Sequence, residues 1–167
     1  SRIEAYDISN IQGVDSVGSM IVFEEGRSKN SDYRRFRIKT VKGANDYDSM
    51  REILTRRFSH GLEEVKAIQE SKLQFSAGKF SNFPDLIMMD GGKGQINIAL
   101  EVLRDLNINI PVCGLVKDDK HATRGIIYNN EELIINRSSN LMQLIRRIQD
   151  EVHRFAITYH RSLRDKR

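Results

Sequence analysis

The sequence predicts an α/β protein built on a mixed sheet, part antiparallel meander and part parallel strands, flanked by helices. Three observations carry that expectation. Residues 2–40 hold three short, strand-like stretches separated by polar turns, the pattern of strands pairing with their chain neighbours. From Asn45 onward the apolar residues recur at helical spacing instead. Beyond residue 85, two unbroken apolar runs, LIMM and VCGLV, enclose a helical segment, as strands buried on both faces do in a layered α/β architecture.

Residues 2–8 read as the first strand, ending in a carboxylate before a turn at SNIQG. VGSMIVFE, 17–24, reads as the second, and YRRFRIKT, 33–40, as the third after the polar turn EEGRSKNSD. NDYDSMREILTRRF then begins with a capping residue and places Tyr47, Met50, Ile53, Leu54 and Phe58 on one side of a helix. A separate, more polar helix is expected over 62–77. DLIMMD forms a buried strand, GQINIALEVLRDL a helix, VCGLV another strand, and IIY with ELIIN a small hairpin. From Asn140 a long helix carries the stripe Leu141, Ile145, Ile148, Val152, Phe155, Tyr159 and Leu163.

A chain of 167 residues supports one domain with a real core. With 39% hydrophobic and 30% charged residues it is globular in composition. No apolar run spans a bilayer, and no leader is visible at the start. The single cysteine, Cys113, excludes a disulfide framework, disfavours a zinc cluster and suits a reducing, cytoplasmic setting. The formal charge of +4 points only weakly to nucleic acid, so the placement of the charges has to decide.

Three residues stand out. Asp7 alternates with Ile3 and Ala5, and Asp90 with Leu86 and Met88, so each shares a face with apolar side chains. Aspartate is depleted in strands and costly to bury unpaired. Each could simply cap a strand end, and Asp90 could be the N-cap of the next helix. Two carboxylates at the ends of core strands could equally converge at one site. They would repel unless a cation lay between them, and an all-oxygen site of that kind suits Mg²⁺ or Mn²⁺. The turn GGKGQ after Asp90 lets backbone N–H groups at Gly92 approach an anion at a helix N-terminus, with Lys93 adding a full charge. It lacks the spacing of a nucleotide P-loop. The third residue, His153, falls beside the stripe of the last helix, with Arg146, Gln149 and His160 on the same flank. It is either a surface side chain or a ligand and proton-transfer group near the two carboxylates.

The remaining basic residues fall in clusters. Lys117, Lys120, His121 and Arg124 crowd the loop after VCGLV and are favoured for DNA phosphates. Arg35, Arg37 and Lys39 on one strand face, and Arg56–Arg57 at the end of a helix, read as solvated surface. Phosphate contacts of this kind give affinity without sequence preference. No aromatic ladder for stacking single strands is visible.

The blocks YDISNIQG, DYRRFRIK, DYDSMREILTRRF, IMMDGGKGQ, GLVKDDKHATR and RIQDEVHRFAI, in that order, resemble the C-terminal endonuclease domain of UvrC, the incision subunit of bacterial nucleotide excision repair. The resemblance implies a ribonuclease H-like fold with an Asp–Asp–His site, here Asp7, Asp90 and His153 as catalytic and metal-binding residues for Mg²⁺ or Mn²⁺. It implies hydrolysis of a phosphodiester in double-stranded damaged DNA, on the 5′ side of the lesion. Lys93 matches the lysine of the family's glycine-rich turn, whereas Asn10 stands where many relatives carry histidine. The family's other modules, including the segment that contacts UvrB, are not visible. Residues 1–167 are therefore expected to be a single domain cut from a longer chain that works on a UvrB–DNA complex, away from membranes. Two rival readings stay open: a catalytically inert nucleic-acid-binding module with the same fold, and a small-molecule phosphohydrolase using the glycine turn.

Overall fold

The computed structural model describes residues 1–10, 16–70 and 80–165, with side chains through Thr158. Strands β1 (Arg2–Ser9), β2 (Val17–Glu24), β3 (Arg27–Ser28) and β4 (Arg34–Arg37) precede helix α1 (Asp46–Gln69). They are followed by β5 (Leu86–Met89), α2 (Lys93–Asp105), β6 (Val112–Lys117), β7 (Thr123–Tyr128), β8 (Glu131–Ile134) and α3 (Asn140–Asp165). The strands form one eight-stranded sheet in the order β3-β2-β1-β5-β6-β7-β8, with β4 also on β2. The pairs β1–β5 and β5–β6 are parallel, and the others are antiparallel. This is the mixed α/β architecture expected.

Alternation along β1 divides the molecule into two layers. Glu4 and Tyr6 face α1, whose Arg57 reaches Glu4, while Asp7 is carried on the opposite face with Ile3 and Ala5, under α3. β2 is buried on both faces, which is why VGSMIVF shows no polar alternation. Among the described residues, no helix is long and apolar enough to cross a membrane.

Four details depart from expectation. The third strand is shorter than 33–40, because Phe23 and Glu24 of β2 pair with β3 and only Val17–Met20 with β4. The backbone N–H groups of Lys39 and Thr40 then donate to the Glu52 carboxylate, each at 2.8 Å, rather than to a strand. Residues 46–69 form one helix, not two. Gly61 does not break it but lets it press on the following segment, since a Cβ there would overlap the Phe83 ring and the Phe80 carbonyl oxygen. The part of the second expected helix at 71–77 lies outside the described residues. On α1, Met50, Ile53, Leu54 and Phe58 are buried, but Tyr47 is exposed and lies over Gly94 of α2. On α3 the buried stripe is Met142, Ile145, Ile148, Val152 and Ala156, whereas Leu141 is exposed. The side chains of Tyr159, His160 and Leu163 are outside the described set.

The β7–β8 hairpin turns at Asn129 and Asn130, both with positive φ (52° and 64°). Asparagine tolerates that backbone region, and such turns match the twist of paired strands.

Candidate metal centre and its phosphate-facing surround

The parallel register of β1 with β5 pairs Tyr6 with Met89, so the next residues, Asp7 and Asp90, stand side by side at the carboxyl ends of the two strands. The Asp90 N–H closes that end by donating to the Tyr6 carbonyl at 3.3 Å. α3 crosses the same face and lowers His153 onto the pair, with Nε2 at 2.6 Å from Asp90 Oδ2 as a donor when protonated. One ligand atom from each of Asp7, Asp90 and His153 lies within 4.8 Å of the others. The Asp90 side chain is 8% exposed and the His153 side chain 43%, so the cluster is closed below and open above.

The electrostatics follow from that crowding. Burial, then the neighbouring Asp90 carboxylate, push Asp7 up to about 7, against the opposing charges of His153 and Lys117. Asp90 is also raised by burial, but the His153 hydrogen bond and the charges of His153 and Lys117 outweigh it and hold Asp90 below its ordinary value. The Asp90 hydrogen bond raises His153, which burial alone would lower. Two adjacent carboxylates thus divide into one reluctant to ionise and one ionised, as like charges at close range must.

Whether a divalent cation suits this cluster can be judged from Asp90. Its Oδ1 is buried and receives no hydrogen bond. The Lys117 ammonium faces it at 3.4 Å. An unpartnered carboxylate oxygen beside a second carboxylate and an imidazole is a donor set that a hard divalent ion fits.

A family model described as the UvrC RNase H endonuclease domain matches residues 1–157. The chain belongs to that family. It is 85% identical over 166 residues to the UvrABC system protein C of Clostridium beijerinckii, covering 99% of this chain and 27% of that protein. It is 78% identical over its whole length to the UvrABC system protein C of Clostridium perfringens, again 27% of that protein. The chain therefore spans about a quarter of the length of these curated relatives. Among solved structures, Ciona intestinalis endonuclease V in complex with a 24mer DNA aligns with a TM-score of 0.40 at 11% identity, over 90% of this chain and 56% of that one.

Beside the three residues, the glycine turn opens helix α2. Gly92 is the N-cap of α2, with no side-chain cap and no acidic residue in the first turn, so the first N–H groups of the helix are free of a local carboxylate. A Cβ on Gly92 would meet nothing within 4 Å, leaving space for an anion rather than for protein. Lys93 is exposed at the same turn.

The other cations spread more widely. Lys117 reaches Asp90 directly. Lys120 and His121 lie exposed on the β6–β7 turn, which the Asp118 carboxylate organises by accepting from the Lys120 and Ala122 N–H groups at 2.8 and 3.0 Å. Arg124 follows Thr123, whose hydroxyl donates to Gln149 on α3. Arg124, where the β6–β7 register is irregular, is exposed and pairs with Glu132 at 3.4 Å. Arg57, expected on the surface, is fully buried against Glu4, while Arg56 bonds the Arg37 carbonyl and Glu52. Asn10 donates to Asp46 at 2.9 Å and accepts from Ser16, which places it at the start of α1.

Arg35 is exposed, in keeping with the solvated reading, and the pairing Asp7–Ser19–Arg35 across β1, β2 and β4 also brings it to the α3 face. There it stacks on Phe155 at 3.7 Å and donates to the Phe155 carbonyl at 2.9 Å. No local signal marks it, because the β2–β4 register is a tertiary choice.

Proposed function

We propose that this domain is a divalent-metal-dependent DNA endonuclease that cuts a phosphodiester on the 5′ side of a lesion. It would serve as the incision module of a longer, cytoplasmic excision-repair protein acting on a UvrB–DNA complex. The observation that carries this reading is the junction of Asp7, Asp90 and His153 within 4.8 Å, with one buried Asp90 oxygen left without a donor. Membership of the UvrC RNase H endonuclease family supports it.

Asp7 and Asp90 would hold Mg²⁺ or Mn²⁺, with His153 completing the ligand set or carrying a proton. A bound divalent ion supplies charge stabilisation on the scissile phosphate and makes water a better nucleophile. Asp7, held up to about 7 by burial and Asp90, would ionise more readily beside such a cation. The free N–H groups at Gly92 and beyond, with Lys93, would take a phosphate oxygen at the N-terminus of α2. Lys117, Lys120 and His121 would hold the flanking backbone without reading bases, as an enzyme acting at any lesion requires. Arg124, exposed but already paired with Glu132, would contribute less.

The test is nicking of a lesion-bearing duplex, with Mn²⁺ binding followed in parallel. Asp7→Asn, Asp90→Asn and His153→Ala should each lower the nicking rate by about 100-fold or more, at or beyond the 10–100-fold typical of a lost outer-shell partner. The two aspartate variants should also lose Mn²⁺ affinity. Unchanged Mn²⁺ binding in both would leave an inert nucleic-acid-binding module.

A further inference from the structure

The register of β6 against β7 shifts between Val116 and Lys117. Irregularities of this kind re-aim a side chain beside a site. Here the Lys117 ammonium comes to 3.4 Å from Asp90 Oδ1. That oxygen is the buried one without a hydrogen bond, whereas Oδ2 is taken by His153 at 2.6 Å. The oxygen best suited to a divalent cation is thus already faced by a monovalent one.

We propose that Lys117 is a displaceable counter-ion, neutralising Asp90 until a divalent cation binds and then moving to a DNA phosphate, so that metal and DNA binding reinforce each other. The inference rests on the metal-site reading above and adds a coupling that it does not contain.

The argument is electrostatic. A divalent cation and an ammonium facing one carboxylate oxygen repel at short range, most strongly where water is scarce. Lys117 can leave, because its side chain is 36% exposed and its charge sits on a flexible four-carbon stem. A new partner is near: a phosphate held at the N-terminus of α2 would lie just beyond Asp90. With DNA absent, displacing Lys117 strands a cation and weakens metal binding. With DNA present, the phosphate accepts it. Linkage then requires that DNA tighten metal binding by the same factor by which metal tightens DNA binding.

Titrating Mn²⁺ against the 167-residue chain, with free Mn²⁺ read by its paramagnetic resonance signal, tests this. Wild type and Lys117→Met are compared, with and without a phosphorothioate duplex that resists hydrolysis. Without DNA, Lys117→Met should bind Mn²⁺ about fivefold or more tightly than wild type. The duplex should tighten wild type by a clearly larger factor than Lys117→Met, in which only the direct attraction between phosphate and ion remains. Circular dichroism checks folding, and Lys117→Gln replaces the methionine variant if that one is unfolded. Equal or weaker Mn²⁺ binding by the neutral variant, or a DNA effect undiminished by the substitution, overturns the inference. Asp7→Asn and Asp90→Asn separate it from the reading beneath it. If both bind Mn²⁺ as wild type does, the metal centre itself falls. If both lose Mn²⁺ while Lys117→Met matches wild type, only the counter-ion role falls.

Discussion

Arg57 lies wholly inside the protein, its guanidinium spread between the two Glu4 oxygens at 2.8 and 2.9 Å and the carbonyls of Phe80 and Asn82 at 2.7 and 3.0 Å. Both partners of the ion pair are 0% exposed. Removing Arg57 leaves Glu4 with Arg2 at 3.1 Å and the Tyr6 hydroxyl, at a cost of about 3 kcal/mol, the low end for a broken buried pair. Chemical denaturation of Arg57→Ala should show a loss of that size, and Arg57→Lys should recover little of it because one ammonium cannot reproduce the planar fork. The signal was present in the sequence: position 57 continues the 50, 53, 54 spacing, but two adjacent arginines look like surface. Cys113 gives a second prediction at this scale. Burial pushes its thiol up to about 11. A raised thiol pKa means that the thiolate is scarce below it and grows as pH rises toward it. Folded protein at pH 8 should therefore resist iodoacetamide, and unfolded protein should react, as mass spectrometry would record.

At the level of elements, α1 shows how a weak sequence signal can mislead. A separate, more polar helix was expected over 62–77, yet one helix runs unbroken through Gln69. Glycine in a helix costs about 1 kcal/mol relative to alanine on intrinsic grounds. Here the missing side chain makes room for Phe83 and the Phe80 backbone, so the usual preference reverses. Gly61→Ala should destabilise by about 1–3 kcal/mol, the range for overpacking a filled contact. A thermal melt showing stabilisation would mean that the 80–83 segment yields easily.

Across the whole molecule, charge is placed more selectively than the sum of +4 suggests. Lys93 follows Asp90 in the glycine turn, Lys117 faces Asp90, Lys120 lies on the next turn, and Arg124 is paired with Glu132. If the first three face a DNA backbone, the logarithm of affinity should fall with the logarithm of salt. Lys93→Ala and Lys120→Ala should each reduce that slope by about 1. Arg124→Ala should change it less. Equal effects from all three would indicate a diffuse field rather than a defined track.

By itself the sequence marked most strands and helix starts and singled out Asp7 and Asp90, because local periodicity records which side chains share a face and exposes a carboxylate where an apolar residue belongs; His153 was left open by its spacing and joined them only through the family resemblance. Only the tertiary structure decided that β1 and β5 run parallel in the register that sets the two aspartates abreast, that α3 brings His153 onto them, that Lys117 faces Asp90 and that Arg57 is interior. Those outcomes depend on contacts between residues far apart in the chain, and no short-range pattern encodes which distant partner a strand or helix will meet.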